Sequence, residues 1–228
     1  MIKFAVLLLS LFLVGCADLQ DAMPGMSYSD RTLLKGIKAC ASYSMDKAIS
    51  DVQVKKIGDI CWEANADNLK DFELILSKLK KEEQIIALKG LLNQAITLSI
   101  KTESPVVMGS VDTLVVKEDP DYLMESSSNA ISAYYMQNIE FKTTIGKAIQ
   151  EALDENGAQG IFDELVKLYN EIPYQENGVE LILSEELSNC VFVLVSKHMA
   201  EHEEELRRNP LLRSTQVLKK TFGDYDPM

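Results

Sequence analysis

Val106-Val107-Met108-Gly109-Ser110-Val111-Asp112-Thr113-Leu114-Val115-Val116 is the stretch on which the fold class turns. Its β-branched content suits a strand. Val107, Val111, Leu114 and Val115 equally fit the three- and four-residue steps of a helix. The periodic segments on both sides are helical, and they decide for a helix here too. The chain is therefore read as all-α, a multi-helix, bundle-like domain with short loops.

Upstream, Ile85, Ile86, Leu88, Leu91, Leu92, Ala95 and Ile96 run helically to about Lys101, and Pro105 is expected to end or restart that run. Before them, Lys80-Lys81-Glu82-Glu83 forms a polar joint, and Leu69, Phe72, Leu76 and Leu79 form another stripe with candidate caps at residues 65–67. The first helix starts near Ser29 or Asp30 and carries Leu34, Ile37, Ala41, Met45, Ala48 and Val52; Gly58 loosens the pattern. Downstream, Asp119-Pro120 is a start signal and Ser126-Ser127-Ser128 a break. Ala130, Ala133, Tyr134, Phe141, Ile145, Ala148, Ile149, Ala152 and Leu153 read as one helix closed by Asn156-Gly157. Ile161 to Tyr169 is a shorter one, stopped by Ile172-Pro173, and Asn177-Gly178 is a turn. Residues 179–208 read as a single long helix that Asn209-Pro210 ends, and a last short helix runs to Phe222-Gly223.

The first sixteen residues describe an export signal. Lys3 gives a positive start, and an apolar run from Phe4 to Val14 is broken only by Ser10. The run is too short for a spanning helix, which takes roughly 20 residues. Leu13-Val14-Gly15-Cys16 resembles the lipobox of bacterial lipoproteins, in which the Cys thiol receives a diacylglyceryl group before the signal is cut away. Ala17, in place of an Asp, resembles the pattern of Gram-negative lipoproteins sorted to the outer membrane, facing the periplasm. The expected organisation is a leader at 1–15, a lipid anchor and tether at 16–29, a helical domain at 30–223 and a tail at 224–228. Attachment to the membrane then rests on acyl chains, each CH₂ contributing about 0.8 kcal/mol.

With 35 acidic against 23 basic side chains the net charge is −12, a surface that repels phosphate backbones and excludes nucleic acid as a partner. The four cysteines are 16, 40, 61 and 190. Lipidation of Cys16 leaves an odd number. Cys190, within Cys190-Val191-Phe192-Val193-Leu194-Val195, is read as a small buried hydrophobe, and Cys40 with Cys61 as the pair able to bridge. No C-x-x-C or Cys/His ligand spacing occurs, so no redox or structural zinc site is indicated, nor any cofactor.

His198-Met199-Ala200-Glu201-His202 matches the H-x-x-E-H pattern of inverted zinc proteases, and the two His, four apart, share a helix face. The pattern needs a further Glu downstream, and none follows His202 beyond Glu203, Glu204 and Glu205 in the same run. His198 and His202 are thus weak metal candidates, and the run from Glu201 to Glu205 reads as a solvated face. Its pairs with Arg207 and Arg208 amount to a few tenths of a kcal/mol each. In the helix around Leu92, one of Asn93 and Gln94 faces solvent and the other bonds a neighbouring loop; Tyr134 and Tyr135 straddle the core boundary with hydroxyls in water. No catalytic set is evident.

The closing stretch from Glu203 to Gly223 resembles a family of exported bacterial proteins, domain of unknown function 4197, whose members tend to end E-x-x-I-R-x-N-P-x-x-R-T-T-D-L-L-K-K-V-F-G. Arg207, Asn209, Pro210, Arg213, Thr215, Leu218, Lys219, Lys220, Phe222 and Gly223 fit. Leu92-Asn93-Gln94-Ala95, residues 129–135 and Tyr169-Asn170-Glu171-Ile172-Pro173 look like three further family segments in order. The family's I-P-L-P segment is missing here, and Gln94 replaces its Arg. The resemblance implies a helical exported domain and transfers no activity. Arg207 and Arg213 flank the Asn209-Pro210 break, where a guanidinium can hold last-turn carbonyls or an acidic side chain, a corner read as structural ahead of anion-binding. The functional expectation is a lipid-anchored, non-enzymatic binding or structural module with an envelope protein or cell-wall partner. The alternatives are an envelope hydrolase or lipid-handling enzyme, and a carrier of a small apolar ligand.

Overall fold

The computed structural model describes residues 28–64, 66–173, 178–223 and 225. Leu13, Val14, Gly15, Cys16, the tether to residue 27, Asn65 and Asn177 lie outside the described residues. The elements are α1 (Tyr28–Gln53), α2 (Ile57–Ala64), α3 (Ala66–Lys78), α4 (Glu82–Thr113), α5 (Pro120–Glu125), α6 (Ala130–Asn138), α7 (Phe141–Glu155), α8 (Ala158–Asn170), α9 (Leu183–Arg208) and α10 (Gln216–Gly223), with a 3₁₀ turn at Pro210–Leu212. The fold is all-α, and no strand occurs among the described residues. Nor, among them, is any helix long and apolar enough to cross a membrane.

The stripe Ile37, Ala41, Met45, Ala48 and Val52 of α1 is fully buried. It lies against α9, which carries Leu187, Val191, Val195 and Met199. The two helices run antiparallel, since Lys55 meets His198 while Asp51 meets His202. α4 and α7 complete the central layer. α7 is antiparallel to α9, with Phe141 on Phe192 (ring centroids 6.2 Å) and Gly146 facing Ser188. α10 closes over the start of α1, where a Cβ on Gly36 would stand 1.9 Å from Thr221 Oγ1.

The ambiguous stretch is helical through Thr113, and residues 114–116 are not. Pro105 neither ends nor restarts its helix: α4 runs through it for 32 residues. A proline leaves the carbonyl four residues back without a donor. Here that is Lys101, and the Ser104 hydroxyl donates to it at 3.2 Å, so the bond is replaced. The helix expected across Ala130 to Leu153 is in fact two, parted at Ile139, whose backbone is extended (φ −96°, ψ 150°). The long C-terminal helix starts at Leu183 rather than at 179. Gly157 takes the left-handed cap (φ 79°) between α7 and α8, as a residue without Cβ can.

Two expectations about the core are corrected. The disulfide joins Cys61 of α2 to Cys190 of α9 (Cα–Cα 5.6 Å), and Cys40 is the buried free thiol. Chain order hid this, because α2 packs on α9, 129 residues away in sequence. Burial, followed by the nearby Glu203 charge, pushes the Cys40 thiol far up, which leaves it unreactive. Tyr135 does not reach water: it is fully buried, and its hydroxyl has no partner among the described residues. Only Tyr134 behaves as a boundary residue, its hydroxyl accepting from Lys117 N at 2.9 Å.

Candidate functional site

The C-terminal half of α9 gathers the polar chemistry. The buried stripe steps by four from Leu187 through Val191 and Val195 to Met199, and the next step lands on Glu203. Glu203 is therefore not part of a solvated face but has no exposed surface at all. Its carboxylate accepts from the backbone N–H of Ile131 (3.2 Å) and Ser132 (2.6 Å), the open first turn of α6. A carboxylate there is favoured both by the unpaired N–H groups and by the helix dipole. Arg207, one turn on, donates to Glu203 through Nε (3.0 Å) and an Nη (2.7 Å). The same guanidinium donates to the carbonyls of Leu123 and Met124 at the end of α5.

Arg213 lies beyond the break. Its Nε donates to Leu206 O (3.1 Å) and an Nη to Arg207 O (2.7 Å), two carbonyls of α9's last turn. Asn209 accepts from Leu211 N and Pro210 opens the 3₁₀ turn. Both guanidinium groups stand over Phe222 of α10, at 5.5 and 5.8 Å. Arg207, Asn209, Pro210 and Arg213 are thus brought together, with Glu203 as the member that residue-type reading left out. The arrangement ties α5, α6 and α10 to α9. Its donors are aimed at protein carbonyls and a carboxylate, which makes it a clasp and not an anion site.

The two histidines occupy the adjoining face. His198 Nδ1 meets Glu201 (2.9 Å) and its Nε2 meets the Lys55 ammonium (2.8 Å). His202 Nε2 meets Asp51 (2.7 Å), and its Nδ1 faces Glu205 at 3.6 Å. The His202 hydrogen bond is the main cause that holds the Asp51 carboxyl below its ordinary range. Among the described residues, no group of three or more His, Cys, Asp or Glu side chains is placed so that it could hold a metal ion.

An open groove of about 440 Å³ lies between α2, α3 and α4, lined by Trp62, Leu69, Glu73, Leu74 and Lys89 among others. Glu73 accepts from Trp62 Nε1 (2.8 Å) and from Lys89 Nζ (2.9 and 3.0 Å), and Lys89 stands 5.1 Å from the Trp62 ring. Burial pushes the Glu73 carboxyl up, but the bonds from Lys89 and Trp62 more than offset it and leave it below its usual range. Behind the groove, Asn93 accepts from Gly58 N (2.7 Å) and donates to Asp59, while Gln94 is exposed. Gly58 has a reason beyond loosening a pattern: a Cβ there would lie 2.7 Å from Asn93 N.

A family model described as Protein of unknown function (DUF4197) matches residues 27–223. The chain belongs to the DUF4197 family. No curated protein matches the chain, and no solved structure does. The clasp falls within the part of the chain that the DUF4197 model covers, as do the histidine face and the groove. The residues that sequence reading missed were Glu203, Glu73 and Lys89. Glu203 had a signal in the four-residue step of its helix. Glu73 and Lys89 are 16 apart on different helices, and only the packing of α3 on α4 unites them.

Proposed function

We propose that this DUF4197 member is an exported helical module, held to a bacterial envelope membrane by acylated Cys16, that binds an envelope partner and performs no covalent chemistry. The Cys61–Cys190 disulfide carries the reading. Such bonds persist in oxidising compartments and are rare in the cytosol. It supports export on grounds independent of the leader. Leu13-Val14-Gly15-Cys16 adds the membrane, and the net charge of −12 turns away nucleic acid and anionic lipid surfaces. The groove between α2, α3 and α4 is the binding surface in this reading. A general acid at neutral pH needs its carboxyl raised. Glu73 is held low and paired to Lys89, which suits recognition of a polar group and not proton transfer.

Palmitate labelling and detergent partition in the native cell test this. Wild-type protein should take up label and enter the detergent phase, and Cys16→Ser should do neither. An unlabelled wild-type chain that keeps Met1 and stays in the soluble fraction overturns the proposal.

A further inference from the structure

α4 turns to water a face unlike the rest of the chain. Charged residues make up 25% of the sequence, with a net charge of −12. Yet of the eight exposed residues between Leu91 and Val111, only Lys101 is charged. Leu98 and Val106 are among them, 54 and 53% exposed. So is Gly109, where an added Cβ would meet nothing within 4 Å. A glycine inside a helix weakens it relative to alanine, and no neighbour within the described chain makes use of this one. Leu98, Lys101, Pro105, Met108 and Asp112 step alternately by three and four residues, which makes one seam opposite the buried Leu92, Ile96 and Ser99. Its two charges are of opposite sign. Among the described residues no carboxylate pairs with Lys101. Asp112 accepts from Ser42 Oγ at 2.9 Å and stays exposed. It lies in the last turn of α4, which holds no basic residue, at the helix end where the dipole favours a cation.

We propose that this face joins two copies of the chain, α4 against α4 antiparallel about a two-fold axis, with Lys101 of each copy against Asp112 of the other. Under a two-fold, a contact made once is made twice with the roles exchanged. In an antiparallel pair the numbers of facing residues keep a constant sum. Lys101 against Asp112 sets that sum. The same register puts Pro105 against Met108, and Leu98 against Val115, which is 43% exposed just past the end of α4. Lys101 and Asp112 are separated by about three turns and roughly 16 Å of rise, so the two ion pairs bracket an apolar centre. Each ammonium also arrives at the C-terminal end of the other copy's helix, where a cation is favoured. Charge selects the occupant. Copies with a net charge of −12 repel one another, and least across a face whose own charges cancel and complement each other. The seam lies on another side of α4 from Lys89, and the pairing needs neither the groove nor the lipid anchor.

Sedimentation equilibrium of the full chain in density-matched detergent, over a range of protein concentration, tests the pairing. Wild type should pass from one chain to two as concentration rises. Lys101→Glu alone sets like charges face to face at both contacts, as does Asp112→Lys alone, and each should weaken association at least about tenfold. An equal mixture of these two variants sets opposite charges at both contacts and should associate as wild type does. The N-terminus is the same in every variant, so clustering through an acyl chain or a leader would not follow the charges. A wild type that stays a single chain at every concentration overturns the inference. So does association that both single variants leave unchanged, or a mixture that stays unpaired while circular dichroism shows both variants folded. Lys101 and Leu98 are exposed, so Lys101→Glu and Leu98→Glu serve even where Asp112→Lys does not fold; association unaltered by both overturns the proposal.

Discussion

Glu203 and Glu204 are neighbours with opposite surroundings, and replacing each by alanine separates a buried clasp from a surface ion pair. Glu203→Ala removes the acceptor of two α6 backbone N–H groups and of two Arg207 bonds, at a site with no exposed surface. It leaves the Arg207 guanidinium facing only the Leu123 and Met124 carbonyls and the Phe222 ring. Breaking a buried pair from one side costs about 3–5 kcal/mol, most of it the uncompensated charge. For a chain of this size, about 2–4 °C of Tm per kcal/mol gives a fall of roughly 6–20 °C. Glu204→Ala breaks only the exposed (i, i+4) contact with Arg208 at 3.2 Å, about 0.3–0.5 kcal/mol and within about 2 °C. Thermal unfolding followed by far-ultraviolet circular dichroism, with urea midpoints as a check, measures both. The double change Glu203→Met with Arg207→Met should recover part of the loss, because no charge is then stranded. Equal and small effects at 203 and 204 would refute the clasp.

Non-reducing peptide mapping should recover residues 61 and 190 in one linked pair, with Cys40 alkylated only after unfolding; a 40–61 link would contradict the packing of α2 on α9. Reduction, or Cys61→Ser with Cys190→Ser, should cost about 2–5 kcal/mol. Gly36→Ala should cost about 1–3 kcal/mol and open α10 to protease, because its Cβ meets Thr221 at 1.9 Å; Gly90→Ala, with nothing within 4 Å, should gain up to about 1 kcal/mol. Glu73 has a depressed pKa in the fold, so its contribution is present above the unfolded value of about 4.3 and is lost as pH falls through the lower folded value. Trp62 is the single tryptophan and donates to Glu73, so its emission should change only below that range, and Glu73→Gln should abolish the step. A transition above pH 5 in the wild type would speak against the assignment.

Periodicity made the helices legible, and failed where a local device overrode it. The stripes of α1, α4 and α9 were visible because water-facing and core-facing residues alternate at helical spacing. The break at Ile139 was not, because an isoleucine gives no stop signal and the apolar spacing on either side stays nearly in phase. Pro105 gave a false stop, since a neighbouring serine hydroxyl replaced the missing donor. The disulfide was beyond reach of counting: three thiols allow three pairings, and the choice lies in which helices touch. The groove was hidden for the same reason. The clasp's arginines were visible through the closing motif, and its carboxylate was masked by a run of three glutamates of which one is buried.

That run makes a general point about a central helix. His202 and Glu203 are adjacent, and a step of one residue turns the side chain by about 100° on an α-helix. On a helix at the rim of a bundle such a turn exchanges core for solvent. α9 packs on α1, α2, α6 and α7, so the same turn exchanges one protein neighbour for another. His202 meets the acidic end of α1, and Glu203 meets the N-terminus of α6. The charge-rich segment therefore has no single character. Each of its residues takes its role from its phase relative to Met199, the last apolar member of the buried stripe before the carboxylate. Shifting that phase is consequently more damaging than deleting any one charge. An alanine inserted after Met199 would carry His202 and Glu203 off both partners at once and point Arg207 away from α5. It should abolish cooperative unfolding, whereas Glu204→Ala, in the same run, leaves the transition intact.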